Sequence, residues 1–109
     1  MHELKRAEFH ILFALAAEPS MHGLAIADAI DAVTGGQLLI GPGTLYRTLH
    51  ELVRAGSITE VDGPQEARGR RRRFYALTPS GRAVLRRDAA RLGAIVELAE
   101  ARDLLPGDA

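Results

Sequence analysis

The sequence predicts a mainly α-helical domain with a small β-hairpin, and two observations lead to this fold class. Apolar residues recur every three to four positions in four separate stretches, which is the spacing of one face of an α-helix. After Gly56 the period changes to two, which is typical of strands. At 109 residues the chain is long enough for one domain.

The first two predicted helices cover residues 4–17 and 20–34. Residues 11–17 are apolar almost all round, so the first helix should be buried on more than one side. Pro19 ends this helix, and Ser20 is expected to cap the second one. The apolar residues expected to face inward from the second helix are Leu24, Ile26, Ala29, Ile30 and Val33.

The third predicted helix runs from about residue 43 to residue 55, and its two faces differ. The apolar residues 38–40 precede it as either a one-bridge strand or a buried loop. Its first turn is slim, which would let its N-terminus approach a partner closely, and Tyr46 lies on the shoulder between the faces. The inward face carries Leu45, Leu49, Leu52 and Val53. The outer face carries Gly43, Thr44, Arg47, His50, Glu51 and Arg54.

A hairpin and a long helix complete the predicted fold. Strands at residues 58–61 and about 71–77 flank a loop that contains glycine and proline. Thr78 and Pro79 suit the N-cap and the first position of the last helix. That helix should continue to about Arg102, a length of roughly 35 Å at ~1.5 Å per residue.

Composition argues against several classes of protein. There is no cysteine, which removes disulfides and thiolate catalysis and fits a reducing cytoplasm. No apolar run is long enough to span a membrane, and Glu3 and Glu8 interrupt what could otherwise be a signal peptide. The four histidines lack metal-ligand spacing, and no serine lies in a nucleophile motif. We therefore predict no metal site, no cofactor and no enzyme activity, and we expect His22 to be a hydrogen-bonding residue at a helix start.

The net charge is zero, but the charges are unevenly distributed. Residues 41–87 contain ten arginines and four acidic residues, a net charge of +6, and the rest of the chain carries −6. A cluster of one sign repels itself unless a polyanion relieves it, and each phosphate contact releases counterions. The arginine cluster in the hairpin loop therefore predicts contact with a nucleic-acid backbone. The clustered residues are Arg68, Arg70, Arg71, Arg72 and Arg73.

Three helices followed by a hairpin form the winged helix-turn-helix arrangement. In this arrangement the third helix enters the DNA major groove and the hairpin loop, called the wing, lies along the backbone. The predicted DNA-binding residues are Gly43, Thr44, Tyr46, Arg47, His50, Arg68, Arg70, Arg71, Arg72 and Arg73.

The sequence also resembles the PadR family of transcriptional regulators over nearly its whole length. The matching stretches are EFHILFALAAEPSMHGLAIADAI, GPGTLYRTLHELVRAGSI and RRRFYALTPSGRAVL. The resemblance implies a repressor that binds a palindromic operator as a dimer, and it places Tyr46 and Arg47 on the recognition helix and residues 68–73 on the wing. His22 and Gly23 match the family's HG pair. Drug-binding members stack flat ligands on tryptophan at the dimer interface; this chain has no tryptophan, so no such pocket is expected.

The last predicted helix carries more apolar surface than its own domain can cover. Because the first helix has a similar excess, pairing both helices with those of a second copy would bury both surfaces. The competing arrangement is a monomer whose last helix folds back. The predicted dimer interface consists of Phe9, Leu12, Phe13, Leu85, Ala89, Leu92, Ile95, Val96 and Ala99.

Together these features predict a cytoplasmic homodimeric repressor that binds double-stranded DNA. Residues 1–78 would be the DNA-binding unit, residues 79–105 a dimerisation helix in the same compact unit, and residues 106–109 a tail. Release by a small-molecule effector of unknown identity stays open. The alternative is a winged-helix protein-interaction module that does not bind DNA, and the wing arginines favour the repressor.

Overall fold

The computed structural model describes residues 4–38, 40–63 and 73–106. Within these ranges it contains four helices and three short strands, so the mainly helical fold class with a small hairpin is confirmed. In chain order the elements are α1 (Arg6–Leu15), β1 (Met21–His22), α2 (Gly23–Thr34), α3 (Pro42–Arg54), β2 (Ile58–Val61), β3 (Phe74–Leu77) and α4 (Pro79–Ala101).

The core lies around α1, which packs against α2, α3, α4 and β3. Ile11 and Leu12 on α1 have no exposed surface, and Leu15 has almost none. Fully burying one such side chain stabilises the fold by about 1.5–3 kcal/mol. Phe13 and Ala16 remain exposed, so α1 is buried over one broad face in the single chain. Leucines of α3 complete this core together with Ile58 of β2 and Leu85 of α4.

The start of α2 differs from the prediction. Its N-cap is His22, whose Nδ1 accepts a hydrogen bond from the Ala25 N–H at 3.2 Å. The expected capping role of Ser20 is wrong, because the residues after it are extended and pair with β3. The expectation that His22 makes hydrogen bonds at a helix start is confirmed.

Two residues of α2 that were expected to face inward are exposed. Leu24 is 59% exposed and Val33 is 58% exposed, whereas Ile26 and Ile30 are buried. At about 100° per residue, Leu24 lies on the side of the helix opposite Ile26. Val33 shares the angle of Ile26, but it lies in the last turn, where the helix has passed the core. The apolar periodicity therefore placed Val33 correctly around the helix axis, but it did not show that the helix leaves the core before this residue.

The sheet is antiparallel, with strand order β1-β3-β2. The predicted hairpin is confirmed: β2 and β3 pair from Ile58 opposite Leu77 to Val61 opposite Phe74. The third strand is β1 rather than residues 38–40, since Leu38 and Ile40 belong to no strand and residue 39 lies outside the described ranges. The expected strand at residues 71–77 is shorter at its start, because β3 begins at Phe74 and residues 71 and 72 are not described.

The start of α4 is fixed to the turn between α3 and β2. Thr78 is the N-cap and Pro79 the first helical residue, as predicted. A side chain at Gly81 would overlap the carbonyl oxygen of Ser57, so this position requires glycine for close approach. The second half of α4 extends beyond the core, and Ile95, Val96 and Leu98 are each about half exposed there.

Candidate nucleic-acid interface

The outer face of α3 is the exposed polar surface that the sequence predicted. Leu45, Leu49 and Leu52 are buried on the opposite side. Thr48 is also buried, and its hydroxyl donates a hydrogen bond to the Thr44 carbonyl at 2.7 Å. This bond satisfies the buried hydroxyl, so a threonine is tolerated on the inward face of α3. The exposed residues are Gly41, Pro42, Gly43, Thr44, Tyr46, Arg47, His50, Glu51 and Arg54.

The N-terminus of α3 is open to a partner. Gly41 is the N-cap and provides no side-chain hydrogen bond to the first turn, and Pro42 occupies the start of the helix. A Cβ at Gly43 would have no neighbour within 4 Å among the described residues. The free N–H groups at a helix N-terminus carry a partial positive charge that favours anions.

Tyr46 lies at the edge of this face and contacts the first turn of α2. It is 51% exposed. A Cβ built on Gly23 would lie 2.7 Å from the Tyr46 hydroxyl and 3.0 Å from two carbons of its ring. Tyr46 therefore packs on the glycine of the HG pair, which explains why that position has no side chain.

Arg73 lies at the base of the wing. Its side chain is 73% exposed, and its Nε lies 3.8 Å from Oε1 of Glu60. An exposed pair of this kind contributes about 0–1 kcal/mol, so it leaves Arg73 free to exchange Glu60 for a phosphate. The predicted contacts Arg68, Arg70, Arg71 and Arg72 lie outside the described residues.

Tyr75 is buried beneath Arg73, at 4% exposed. Burial is the main cause that raises the pKa of Tyr75, the Glu60 carboxylate and Tyr46 add to it, and Arg73 opposes it. The phenol therefore stays protonated and can donate or accept a hydrogen bond throughout the neutral range. This residue was absent from the predicted site, because a tyrosine in a strand gives no sequence signal that it will lie beside an arginine and a glutamate.

Phe74 covers the end of the sheet. It is 7% exposed, and its ring meets the His22 ring edge-on with centroids 5.4 Å apart. A Cβ at Gly63 would overlap the Phe74 ring, so the chain passes closely over this residue at the base of the wing.

The residues of the predicted dimer interface differ in how much surface they expose. Leu12 and Leu85 are buried in the chain's own core and offer little surface to a partner. Phe13 is 45% exposed and stacks on Phe9, with ring centroids 5.8 Å apart. The remaining residues leave an apolar surface along α4; Leu92 and Ala99 are partly buried, and Ala89, Ile95 and Val96 are exposed.

Other kinds of site find little support in the described part of the chain. Within residues 4–38, 40–63 and 73–106, no three histidine or acidic side chains are grouped so that they could hold a metal ion. Over the same ranges, no helix combines the length and the apolar character needed to cross a membrane.

Residues 11–87 match the model of the transcriptional regulator PadR-like family. The chain belongs to the PadR family of transcriptional regulators. The resemblance found in the sequence motifs is thereby confirmed, and the match covers α2, α3, the hairpin and the beginning of α4.

Relatives of this PadR-family chain include a regulator of nearly the same length. This chain is 38% identical over 109 residues to the transcriptional regulator Rv3488 of Mycobacterium tuberculosis, and the match covers 98% of this chain and 92% of that protein. It is 43% identical over 83 residues to the uncharacterized 37.1 kDa protein in transposon TN4556 of Streptomyces fradiae. That match covers 76% of this chain but only 22% of the larger protein.

Solved structures share the same winged-helix fold. The crystal structure of a PadR family transcription regulator from Clostridium difficile superimposes with a TM-score of 0.73 at 20% sequence identity. The superposition covers 89% of this chain and 97% of that one.

Proposed function

We propose that this PadR-family regulator is a homodimer that binds a palindromic DNA operator and represses transcription. The observation that carries the proposal is the exposed face of α3, where Thr44, Arg47 and His50 lie opposite the buried leucines. In winged helix-turn-helix proteins, the N-terminal residues of the third helix contact base edges. The slim, open first turn of α3 suits such an approach.

The charge distribution supports DNA as the partner. The +6 charge of residues 41–87 includes the wing cluster, and Arg73 at its base is exposed. Phosphate contacts position a protein on the duplex, whereas contacts to base edges provide specificity. We assign the wing arginines to the first role, and Arg47 to the second, because arginine matches the O6 and N7 acceptors of guanine.

The apolar surface of α4 supports the dimer. Ile95 and Val96 are each about half exposed, and at about 100° per residue they lie on the same side of α4 as Leu92 and Ala99. Contiguous apolar surface of this kind marks interaction sites. A two-fold dimer formed through α4 would contain two copies of α3, one for each half of a palindromic operator. The half-sites of operators bound by such dimers lie about 34–36 Å apart, or a multiple of this distance.

The test is selection of DNA by the purified protein. Genomic fragments retained by the wild type should share a palindromic sequence, and a gel shift should show tighter binding to it than to random DNA. A promoter that carries this sequence should lose transcription when the protein is expressed and regain it with Arg47→Ala. If no fragment is enriched and no DNA is shifted, the proposal is wrong and the protein-interaction module replaces it.

A further inference from the structure

Consecutive residues at the start of α2 contact the two parts of the proposed DNA-binding surface. Gly23 lies under the Tyr46 ring of α3, as the 2.7 Å and 3.0 Å distances from a Cβ built on it show. His22, one residue earlier, pairs with Phe74 of β3 and packs its ring edge-on against the Phe74 ring. The recognition helix and the base of the wing are therefore both held by His22 and Gly23.

The His22 side chain fixes this arrangement to α2 itself. Its Nδ1 accepts the Ala25 N–H at 3.2 Å, so the ring cannot turn away from Phe74 without uncapping the helix. Gly23 is buried, and it begins the helix directly after the paired residue. The position of Gly23 under Tyr46 is consequently set by the sheet as well as by α2.

The Tyr46 ring can move away from Gly23 only toward the outer face of α3. Leu45 and Leu49, its neighbours on α3, are buried in the core, so the space on the inward side is filled. A methyl group on Gly23 would come closer to the ring than atoms in ordinary contact. Because Tyr46 is half exposed, its ring would turn outward, toward the face that carries Arg47 and His50.

We propose that Gly23 and Tyr46 are positioning residues for DNA recognition: the bare glycine lets the tyrosine ring lie on α2, which orients α3 relative to the wing and keeps its outer face clear. This inference rests on the proposed function, because it assigns the contact to the reading of an operator. It makes the absence of a side chain at residue 23 a determinant of specificity, although Gly23 itself contacts no base.

The test is a double-mutant cycle measured by operator binding. Gly23→Ala should weaken operator binding roughly tenfold, within the range of couplings found between contacting residues. It should weaken binding to random DNA much less, because backbone contacts through the wing remain. In a Tyr46→Ala background the same Gly23→Ala change should have an effect of less than about twofold, because the obstructed ring is gone. Val33→Ala, at the other end of α2, is the control and should bind as the wild type does.

Thermal unfolding separates this effect from loss of the fold. We expect the melting temperature of Gly23→Ala to stay within roughly 5 °C of the wild type, since Tyr46 can turn into solvent. If Gly23→Ala unfolds, Tyr46→Ala must restore folding in the double variant; a double variant that is also unfolded overturns the proposal.

Two further outcomes separate this inference from the proposed function. If the wild type binds an operator but Gly23→Ala has the same effect with and without Tyr46, the positioning role is wrong and the proposed function stands. The same holds if Gly23→Ala has no effect in either background. A wild type that selects no DNA overturns the proposed function and this inference with it.

Discussion

Arg47 is the residue on which sequence-specific binding should depend most. It lies on the exposed face of α3, one turn from the open N-terminus. We predict that Arg47→Ala weakens operator binding by roughly 1–3 kcal/mol and binding to random DNA much less. Gel-shift titrations against both DNAs measure the two losses.

Arg54→Ala is the matched control for the Arg47 prediction. Arg54 lies in the last turn of the same helix and is also exposed. Removing it subtracts the same charge about 10 Å further along the axis, at ~1.5 Å per residue. We expect it to affect both DNAs equally. Equal losses for Arg47→Ala would instead assign Arg47 to a phosphate.

His10 should make the stability of the fold depend on pH. Burial, and to a smaller extent the Arg6 guanidinium, lower the pKa of His10 below its ordinary value of 6.5. The unfolded chain therefore binds this proton at a higher pH than the folded chain does. Consequently the stabilisation that comes from His10 is fully present above about pH 6.5, and the free energy of unfolding decreases as the pH falls below this value.

The measurement is urea unfolding of the wild type and His10→Gln at pH 7.5 and 5.5. The variant should lose less stability between these two pH values than the wild type does. If the two proteins lose the same amount, His10 is not the source of the pH dependence.

At the scale of elements, the wing should contribute affinity rather than specificity. We predict that replacing Arg70, Arg71 and Arg72 with alanine weakens binding to all DNA sequences about equally, because phosphates carry no sequence information. The slope of log K against log salt should become shallower by about 0.9 for each phosphate that the variant no longer neutralises. Binding isotherms at several salt concentrations measure this slope, and an unchanged slope would place the cluster away from the backbone.

Thr78 joins α4 to the turn between α3 and β2. Its Oγ1 lies 2.6 Å from the Gly56 carbonyl oxygen and accepts a hydrogen bond from the Gly81 N–H at 3.0 Å. Thr78→Val keeps the shape and removes these bonds, so we expect a loss of about 1–2 kcal/mol in the free energy of unfolding. Chemical denaturation measures the loss.

Thr59→Val is the control for Thr78→Val. Thr59 is exposed on β2, so the same substitution should change the free energy of unfolding by less than about 0.5 kcal/mol. Similar losses at both positions would mean that the bonds of Thr78 are not what joins α4 to the turn.

At the scale of the whole molecule, α4 should hold two copies together. We predict that the wild type sediments at about 24 kDa, twice the 11.8 kDa of one chain. Val96 is 47% exposed in the single chain, so Val96→Arg should leave the fold intact. In the dimer it would bury a charge against its own symmetry copy, which strongly disfavours association.

Leu24→Arg is the matched control, since Leu24 is an exposed apolar residue outside the predicted interface. Sedimentation should show a dimer for Leu24→Arg and a monomer for Val96→Arg, and only the monomer should lose operator binding. A wild type that is monomeric at micromolar concentration, yet binds a palindrome tightly, would contradict this role of α4.

The sequence by itself determined the elements whose signals are local. The buried leucines of α3 repeat within two turns, the cap formed by Thr78 and Pro79 is contiguous, and β2 is a run of only four residues. Such patterns report which side of an element is apolar, so the winged fold and the polar face of α3 followed from them. The family motifs, spread over the chain, added the expectation of DNA binding.

Tertiary structure alone decided the contacts between residues far apart in the chain. β1 has only two residues and exists because Met21 and His22 pair with residues more than fifty positions later. The depth of Val33 and the meeting of Gly23 with Tyr46 likewise depend on how helices lie against one another. Periodicity encodes the angle around one element's axis and carries no information on where a neighbouring element begins or ends, which is the physical reason these features could not be predicted from the sequence.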